Sequence, residues 1–207
     1  ERDRNFEAAA AERNLLVQNY AEATPWYETN KTNLEAIKTA QGLFEKSLYS
    51  AALFHHKQAQ IHKDANKLDL AKEEYGKAAG AYGRYLQRFP HDKLVYDLYY
   101  FYAECLYYSF SFLESAKYYT KVRDDKAEIK YRQDASLSVV LSYEKAIKIA
   151  EVKGALPLMK ATPLGERTPG QEIPSKEIPD LRVNIIKASD AYAALVPEST
   201  ELPAIMY

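Results

Sequence analysis

The stretch VYDLYYFYAECLYYSFSF, residues 95–112, carries six tyrosines and three phenylalanines. So much aromatic surface is typical of a membrane span, a stacking platform for nucleic acid, a sugar-binding groove or the core of stacked helices. Asp97 and Glu104 interrupt the stretch, and the chain has no apolar run of about 20 residues, so the sequence predicts no membrane span.

The composition restricts the class of partner and the fold. Lysine and arginine number 28, aspartate and glutamate number 29, and the net charge is −1. Proteins that bind nucleic acid normally carry a basic excess or stripe, so we expect no nucleic-acid partner. With 7 glycines and 9 prolines, the chain has too few turn residues for a β-sandwich or a β-barrel. Cys105 is the one cysteine, so no internal disulfide can form.

Apolar residues recur with helical spacing over most of the chain, which predicts an all-α protein. Pro25 breaks the first helix, because proline cannot continue a helix. TNLE (residues 32–35) and SFLE (residues 111–114) are capping boxes, in which Thr32 or Ser111 caps a helix start. The pattern predicts helices over about residues 3–20, 32–65, 70–89, 93–109, 111–123, 127–153 and 181–195.

The composition changes sharply near the end of the sixth predicted helix. Prolines at positions 157, 163, 169, 174 and 179 have a spacing that sustains neither helix nor sheet. We predict a helical domain over residues 1–153, a proline-rich loop or linker over residues 154–180, and a further helix with the start of a truncated repeat over residues 181–207. The proline-rich segment is either a plain connector or a ligand that packs along a groove of the same chain.

Two segments indicate an internal repeat. AGAYGRYLQRFP (residues 79–90) and SAKYYTKVRDD (residues 115–125) both have the pattern of the second helix of a helix pair. Aligning Tyr82 with Tyr119 gives a period of 37 residues. Periods of this length are typical of helix pairs that stack into solenoids.

The repeat resembles the tetratricopeptide repeat (TPR), and the resemblance covers about residues 51–150. It implies a right-handed superhelical solenoid of helix pairs. The sequence YLQRFP is similar to the bacterial envelope branch of this family, which includes outer-membrane assembly lipoproteins and Tol–Pal-associated coordinators. The matching residues are Tyr99, Tyr102, Ala103 and Leu106 in a first helix, Ser115 and Tyr119 in a second helix, and Ala78, Tyr82 and Pro90 in the preceding repeat.

The predicted helix over residues 93–109 is apolar on two sides. One stripe is about 120° wide, and a second apolar surface lies beside it. A helix with two apolar sides packs between two neighbours, as a helix in a solenoid does. The first stripe holds Tyr96, Tyr99, Tyr100, Ala103, Leu106, Tyr107 and Phe110, and the second surface holds Leu98, Phe101, Tyr102, Cys105 and Phe112.

The preceding helix carries an aromatic stripe that includes Tyr75 and Tyr85, with glycines roughly opposite. Each glycine in a helix interior costs about 0.5–1 kcal/mol relative to alanine. Gly76, Gly80 and Gly83 therefore predict a flat strip where another backbone packs closely. Glycines that are merely tolerated would give the same pattern.

No motif for catalysis, cofactor binding or metal binding is present. The chain lacks a phosphate-binding glycine loop and a nucleophile elbow. Cys105 lies on an apolar helix face, so we expect an unreactive packed thiol. His55 and His62 are two helical turns apart, which is too far for both to bind one ion. We therefore predict no enzymatic activity, no cofactor and no metal site.

In tetratricopeptide proteins the first helices line a concave groove, and the resemblance assigns ligand-facing positions to this chain. Two acids in the clearest repeat argue against the Lys- and Arg-rich clamp that one subfamily uses for a C-terminal carboxylate. Tyrosines and acids suit a basic or aromatic peptide, although both acids could instead be the solvated edge of a packed helix. The assigned positions are Asp97, Tyr100, Glu104, Tyr107 and Tyr108, then His56, Gln60 and Lys63 in the preceding repeat, and Arg132 and Ser136 in the following one.

These observations lead us to expect a non-catalytic scaffold that binds a protein or peptide segment. By resemblance its setting is the periplasm or cell envelope of a bacterium, in an assembly, secretion or motility machine, with the cytoplasm as the alternative. The chain starts without Met, and we expect a mature chain or an excised fragment. Two other hypotheses stay open: a structural spacer in a larger solenoid, and a site for cell-wall glycan. Tryptophan usually accompanies glycan sites, and only Trp26 is present.

Overall fold

The computed structural model describes residues 24–158 and 177–202, together with residues 9, 12, 15 and 18–20. No strand occurs among these residues, so the prediction of an all-α protein is confirmed. The described helices with defined ends are α1 (Pro25–Asn30), α2 (Leu34–Asp64), α3 (Leu68–Arg88), α4 (Val95–Tyr108), α5 (Phe112–Arg123), α6 (Arg132–Val152) and α7 (Asp180–Leu195). In the part of the chain that the structure describes, no helix is long and apolar enough to cross a lipid bilayer.

Most helices begin and end close to the predicted positions, but α6 begins later. Its predicted start was near residue 127, and it begins at Arg132. The carboxylate of Asp125 accepts hydrogen bonds from the backbone amides of Ala127 and Glu128, at 2.9 and 3.0 Å. An aspartate that bonds to the backbone ahead of it in this way holds a turn, so the helix starts only after the turn is complete.

Helix α1 was not predicted, and the start of α2 differs from the sequence prediction. Pro25 was predicted only to break a helix, but it occupies the first position of α1, where its missing N–H costs nothing. The hydroxyl of Thr24 accepts a hydrogen bond from the backbone of this helix at 3.3 Å. For α2, the assignment of Thr32 as the cap is wrong. The side chain of Asn33 caps this helix, accepting from the amide of Ala36 at 3.1 Å.

Three helices end in the same backbone motif. The second residue beyond α2, α4 and α6 has a positive φ of 58° at Asn66, 72° at Phe110 and 70° at Gly154. The following amide then bonds back to the last turn of the helix, as the amide of Ser111 does to the carbonyl of Leu106 at 2.8 Å. Glycine and asparagine are the usual residues here, whereas a phenylalanine at positive φ is strained.

Replacing Phe110 with glycine is expected to stabilise the protein by roughly 0.5–1.5 kcal/mol. Relief of left-handed strain contributes about 1–2 kcal/mol, and loss of the contact between Lys72 and the Phe110 ring subtracts about 0.5 kcal/mol. That ring is exposed, and the Lys72 ammonium lies 4.5 Å from its centroid. Denaturant unfolding would measure the change. Gly154→Ala is the matched control and should cost about 1 kcal/mol, and a destabilised Phe110→Gly variant would contradict the prediction.

The chain divides into two compact units, Glu1–Ser111 (unit 1) and Phe112–Tyr207 (unit 2). In unit 1, α3 packs against both α2 and α4. Its aromatic stripe supplies the largest fully buried side chains among the described residues of the unit, Tyr75, Tyr82 and Tyr85. Alanines let the helices approach closely around these rings. Those with no exposed surface in unit 1 are Ala52, Ala59, Ala78 and Ala103.

In unit 2, α6 packs against α5 and α7. The hydroxyls of Ser115 on α5 and Ser142 on α6 are fully buried and lie 3.2 Å apart in a hydrogen bond. Arg182 on α7 donates to the carboxylate of Glu151 at 2.5 Å and to the carbonyl of Pro157 at 2.8 Å. These charge-assisted hydrogen bonds fasten α7 to the end of α6.

The glycines of α3 do not form the predicted strip for another backbone. A Cβ atom at Gly80 would meet only a side chain of its own helix, and one at Gly76 would make an ordinary contact of 3.9 Å with the Cβ of Ser109. At Gly83 the neighbour is a side chain, because a Cβ atom there would lie 3.2 Å from the hydroxyl of Tyr102. The prediction is therefore wrong, and only Gly83 provides room for a packed ring.

Some predictions fall outside the described residues. Most of the predicted helix over residues 3–20 does, although residues 9, 12, 15 and 18–20 are helical. Residues 159–176, which make up most of the proline-rich segment, and residues 203–207 also lie outside the described ranges. The predicted domain boundaries stay predictions.

Candidate functional site

The aromatic helix α4 holds its tyrosines at intermediate depth. Its buried residues are the smaller side chains Leu98, Ala103, Cys105 and Leu106, which come from both predicted apolar surfaces. The half-buried tyrosines are Tyr96, Tyr99, Tyr100, Tyr102, Tyr107 and Tyr108. Their rings therefore combine packed area with an accessible edge, which is the position that suits a side chain with an apolar body and a polar tip.

Eight of the ten groove residues predicted for the site lie in unit 1, on helices α2 and α4. Side chains of the two helices contact each other at His56 and at Lys63. We call the surface formed by Gln60, Lys63, Glu104 and Tyr108, with the buried His56 beneath it, the α2–α4 face.

His56 is the centre of the first contact and links three helices. It is 6% exposed, and its Nδ1 atom lies 3.2 Å from the hydroxyl of Tyr82 on α3. Its Nε2 atom lies 3.4 Å from a carboxylate oxygen of Glu104, and the Gln60 side-chain nitrogen lies at the same distance. A ring that accepts from Tyr82 at Nδ1 can donate from Nε2 to Glu104, so both ring nitrogens are satisfied.

Lys63 makes the second contact, at the end of a stack of aromatic rings. Its ammonium lies 4.3 Å from the centroid of the Tyr108 ring. On α3, Tyr75 stacks on Tyr108 with centroids 4.8 Å apart and ring planes 22° apart. The cation and two rings form a layered arrangement that orients Tyr108 from inside the core.

The remaining predicted residues of α4 are Asp97, Tyr100 and Tyr107. Tyr100 and Tyr107 are half-buried, and Tyr107 meets Tyr108 edge-on at a centroid distance of 5.3 Å. Asp97 is also half-buried and belongs to the first turn of α4, where the helix dipole favours a negative charge.

Arg132 and Ser136, the predicted contribution of the following repeat, lie in unit 2 on α6. Arg132 donates to the backbone carbonyl of Asp125 at 2.5 Å, so its guanidinium holds the turn before α6. Ser136 is fully buried, and its assignment as a ligand-facing residue is therefore wrong. Helical spacing alone does not show which of two adjacent faces of α6 is covered by the neighbouring helices.

A second polar cluster joins α2 and α3, and the sequence patterns did not indicate it. The carboxylate of Glu74 lies 2.7 Å from His55 Nδ1 and accepts from the Lys77 ammonium at 2.7 Å. Burial acts to raise the pKa of Glu74, but the hydrogen bonds from Lys77 and His55 outweigh it and lower the pKa. Hydrogen bonds to Glu73 and Glu74 raise the pKa of Lys77 to about 12. The cluster favours the ionised form of the Glu74 carboxylate and ties the two helices together.

Burial makes the Cys105 thiol unreactive. Cys105 has no exposed surface, and burial, with the nearby Glu104 charge, raises its pKa well above the usual value. Its thiol therefore stays protonated, which is the form that does not attack electrophiles. Within residues 24–158 and 177–202 no three His, Cys, Asp or Glu side chains are grouped so that they could hold a metal ion.

A scan against protein-family models, a search of curated proteins and a search of solved structures each found no match.

Proposed function

We propose that the protein is a non-catalytic scaffold that binds a basic or aromatic segment of a partner protein on the α2–α4 face. The single observation that carries this proposal is a set of contacts between side chains that the tetratricopeptide resemblance assigned to two consecutive repeats. His56 and Glu104 lie 3.4 Å apart, and Lys63 lies over the Tyr108 ring. A tetratricopeptide-like groove requires that the first helices of neighbouring repeats form one common surface.

The chemistry of the face supports a cationic or aromatic ligand. The side chain of Glu104 is 24% exposed and is held from behind by the buried His56 ring. Half-buried Tyr100 and Tyr107 add ring edges and hydroxyl groups on the same helix. An oriented carboxylate beside accessible tyrosines favours lysine or arginine side chains through ion pairing and cation–π contacts.

We further propose that the helices belong to a right-handed superhelical solenoid of tetratricopeptide-like pairs. The all-α architecture, the period of 37 residues between Tyr82 and Tyr119, and the burial of both residues support this arrangement. The similarity of YLQRFP to the bacterial envelope branch favours a setting in the periplasm or cell envelope, within an assembly, secretion or motility machine.

A panel of synthetic peptides would test this function. The full chain should bind peptides that contain lysine, arginine and aromatic residues, and should not bind acidic peptides of the same length. The combined variant Tyr100→Ala, Glu104→Gln and Tyr107→Ala should lose roughly 5- to 150-fold in affinity, since two to three contacts of about 0.5–1 kcal/mol each are removed. Fluorescence anisotropy of labelled peptides measures this directly.

The matched control changes exposed residues on α3, with Glu73→Gln, Arg84→Ala and Gln87→Ala combined. This control should bind the peptides as the unmodified chain does, and both variants should keep the helical circular dichroism signal. Binding to none of the peptides, or equal binding by the two variants, would reject the proposal. The first of these results would favour a structural spacer.

A further inference from the structure

Helix α2 is longer than the helix that packs against it. It has 31 residues and α3 has 21, which correspond to about 46 and 32 Å at 1.5 Å per residue. The end of α3 reaches α2 at Phe44 and Glu45. Arg88 lies over the Phe44 ring at 5.3 Å, and the hydroxyl of Tyr85 donates to Glu45 at 3.4 Å. The first turns of α2 therefore extend past the end of α3.

A cavity of about 510 Å³ lies on this extension, at the opposite end of α2 from the α2–α4 face. Its volume is within the range of small-molecule sites. Apolar side chains of α2, including Ala36, Ala40 and Leu43, form one wall. Leu43 is 47% exposed and Tyr20 is 39% exposed, so the cavity opens to solvent.

Two aromatic rings and one carboxylate give this cavity its chemical character. The rings of Tyr20 and Trp26 both line the cavity and meet edge to face, at a centroid distance of 5.0 Å and an angle of 74°. Glu35 is the one charged residue among the described residues that line the cavity. It belongs to the first turn of α2 and is exposed to solvent.

We infer that this cavity binds a small organic ammonium ion with an apolar body, such as a quaternary ammonium compound. Aromatic faces attract such cations through their quadrupoles, and methyl groups on nitrogen also bury apolar area against Ala40 and Leu43. The single carboxylate of Glu35 supplies charge complementarity. An anion would meet this carboxylate and the negative ring faces, so the lining selects against it. The inference does not depend on the peptide-binding function.

Titration with choline and with its neutral isostere, 3,3-dimethylbutan-1-ol, separates charge recognition from apolar burial. Trp26 is the only tryptophan, so its fluorescence reports on this cavity. We expect choline to bind with a dissociation constant on the order of 1 mM, and the isostere to bind at least roughly five-fold more weakly. Equal binding of the two compounds, or no binding of choline, would overturn the inference.

Variants identify the site. Glu35→Gln is expected to weaken choline binding roughly five-fold without changing binding of the neutral isostere. Glu28→Gln is the matched control, because Glu28 lies on α1 in an exposed pair with Lys31 and should leave choline affinity unchanged. Calorimetry provides a second readout for Tyr20→Leu, and circular dichroism verifies folding. Choline binding that is unchanged in Glu35→Gln would overturn the assignment of the carboxylate.

Discussion

Above about pH 10 the folded protein is expected to lose roughly 4 kcal/mol of stability per pH unit, and to unfold between about pH 11 and 12. The cause is the row of buried phenols on α3. Burial, strengthened by nearby carboxylates such as Glu104 near Tyr75, raises the pKa of Tyr75, Tyr82 and Tyr85 well above the usual value for tyrosine.

The sign follows from the protons that each state binds. In the unfolded chain these three phenols release their protons near pH 10, whereas in the folded chain they keep them. The unfolded state then binds fewer protons, so the free energy of unfolding falls as the pH rises through this interval. Each group contributes about 1.4 kcal/mol per pH unit. Cys105, whose pKa burial also raises, adds a shallower loss that begins near pH 8.5.

Urea unfolding at a series of alkaline pH values measures this slope. Tyr82→Phe should reduce the contribution of the phenols to this slope by about one third, because it removes one of the three titrating phenols. Cys105→Ala should remove the loss that begins near pH 8.5. Tyrosinate absorbance that titrates completely near pH 10 while the helical signal is unchanged would show that the α3 phenols are not protected.

Tyr82→Ala is expected to destabilise the protein by about 3–5 kcal/mol. Tyr82 has no exposed surface and lies between the two flanking helices of unit 1. Its ring packs edge-on against His56 of α2 at a centroid distance of 5.9 Å and lies 6.4 Å from the ring of Phe101 on α4. Truncation therefore leaves a cavity between three helices and removes the hydroxyl that bonds to His56.

Two further variants divide this loss into its parts. Tyr82→Phe keeps the ring and should cost about 1 kcal/mol, the usual value for one hydrogen bond. Gln87→Ala changes an exposed residue of the same helix and should stay within about 0.5 kcal/mol of the unmodified protein. Denaturant unfolding compares the three, and a Tyr82→Ala variant as stable as Gln87→Ala would contradict the central position of this ring.

The sequence predicted the helices and the stripe of α3 correctly because both depend on local periodicity. Tyr75, Tyr82 and Tyr85 share one face at helical spacing, and this face is the buried one. The depth of the α4 tyrosines was harder to predict, since periodicity shows which residues share a face but not how far a neighbouring helix covers them. α1 has only 6 residues, too few to show a period.

The candidate site was predictable in part. The resemblance assigned His56 and Glu104 to the ligand-facing positions of consecutive repeats, but it did not contain the contact of His56 with Tyr82. That contact joins residues 26 apart and depends on the packing of α2 against α3. The alignment also failed at Ser136, because its register in the following repeat was uncertain. Thr32 and Asn33 are both good capping residues, so local chemistry could not choose between them.

Phe110 also bears on how this chain would change through evolution. Its backbone adopts the same left-handed turn as Asn66 and Gly154, although its side chain is a phenyl ring. Selection for the turn alone would replace the ring with glycine or asparagine. In lineages that retain an aromatic residue at this position, the ring itself is then the feature under selection, and the strained backbone is the disadvantage tolerated to keep it.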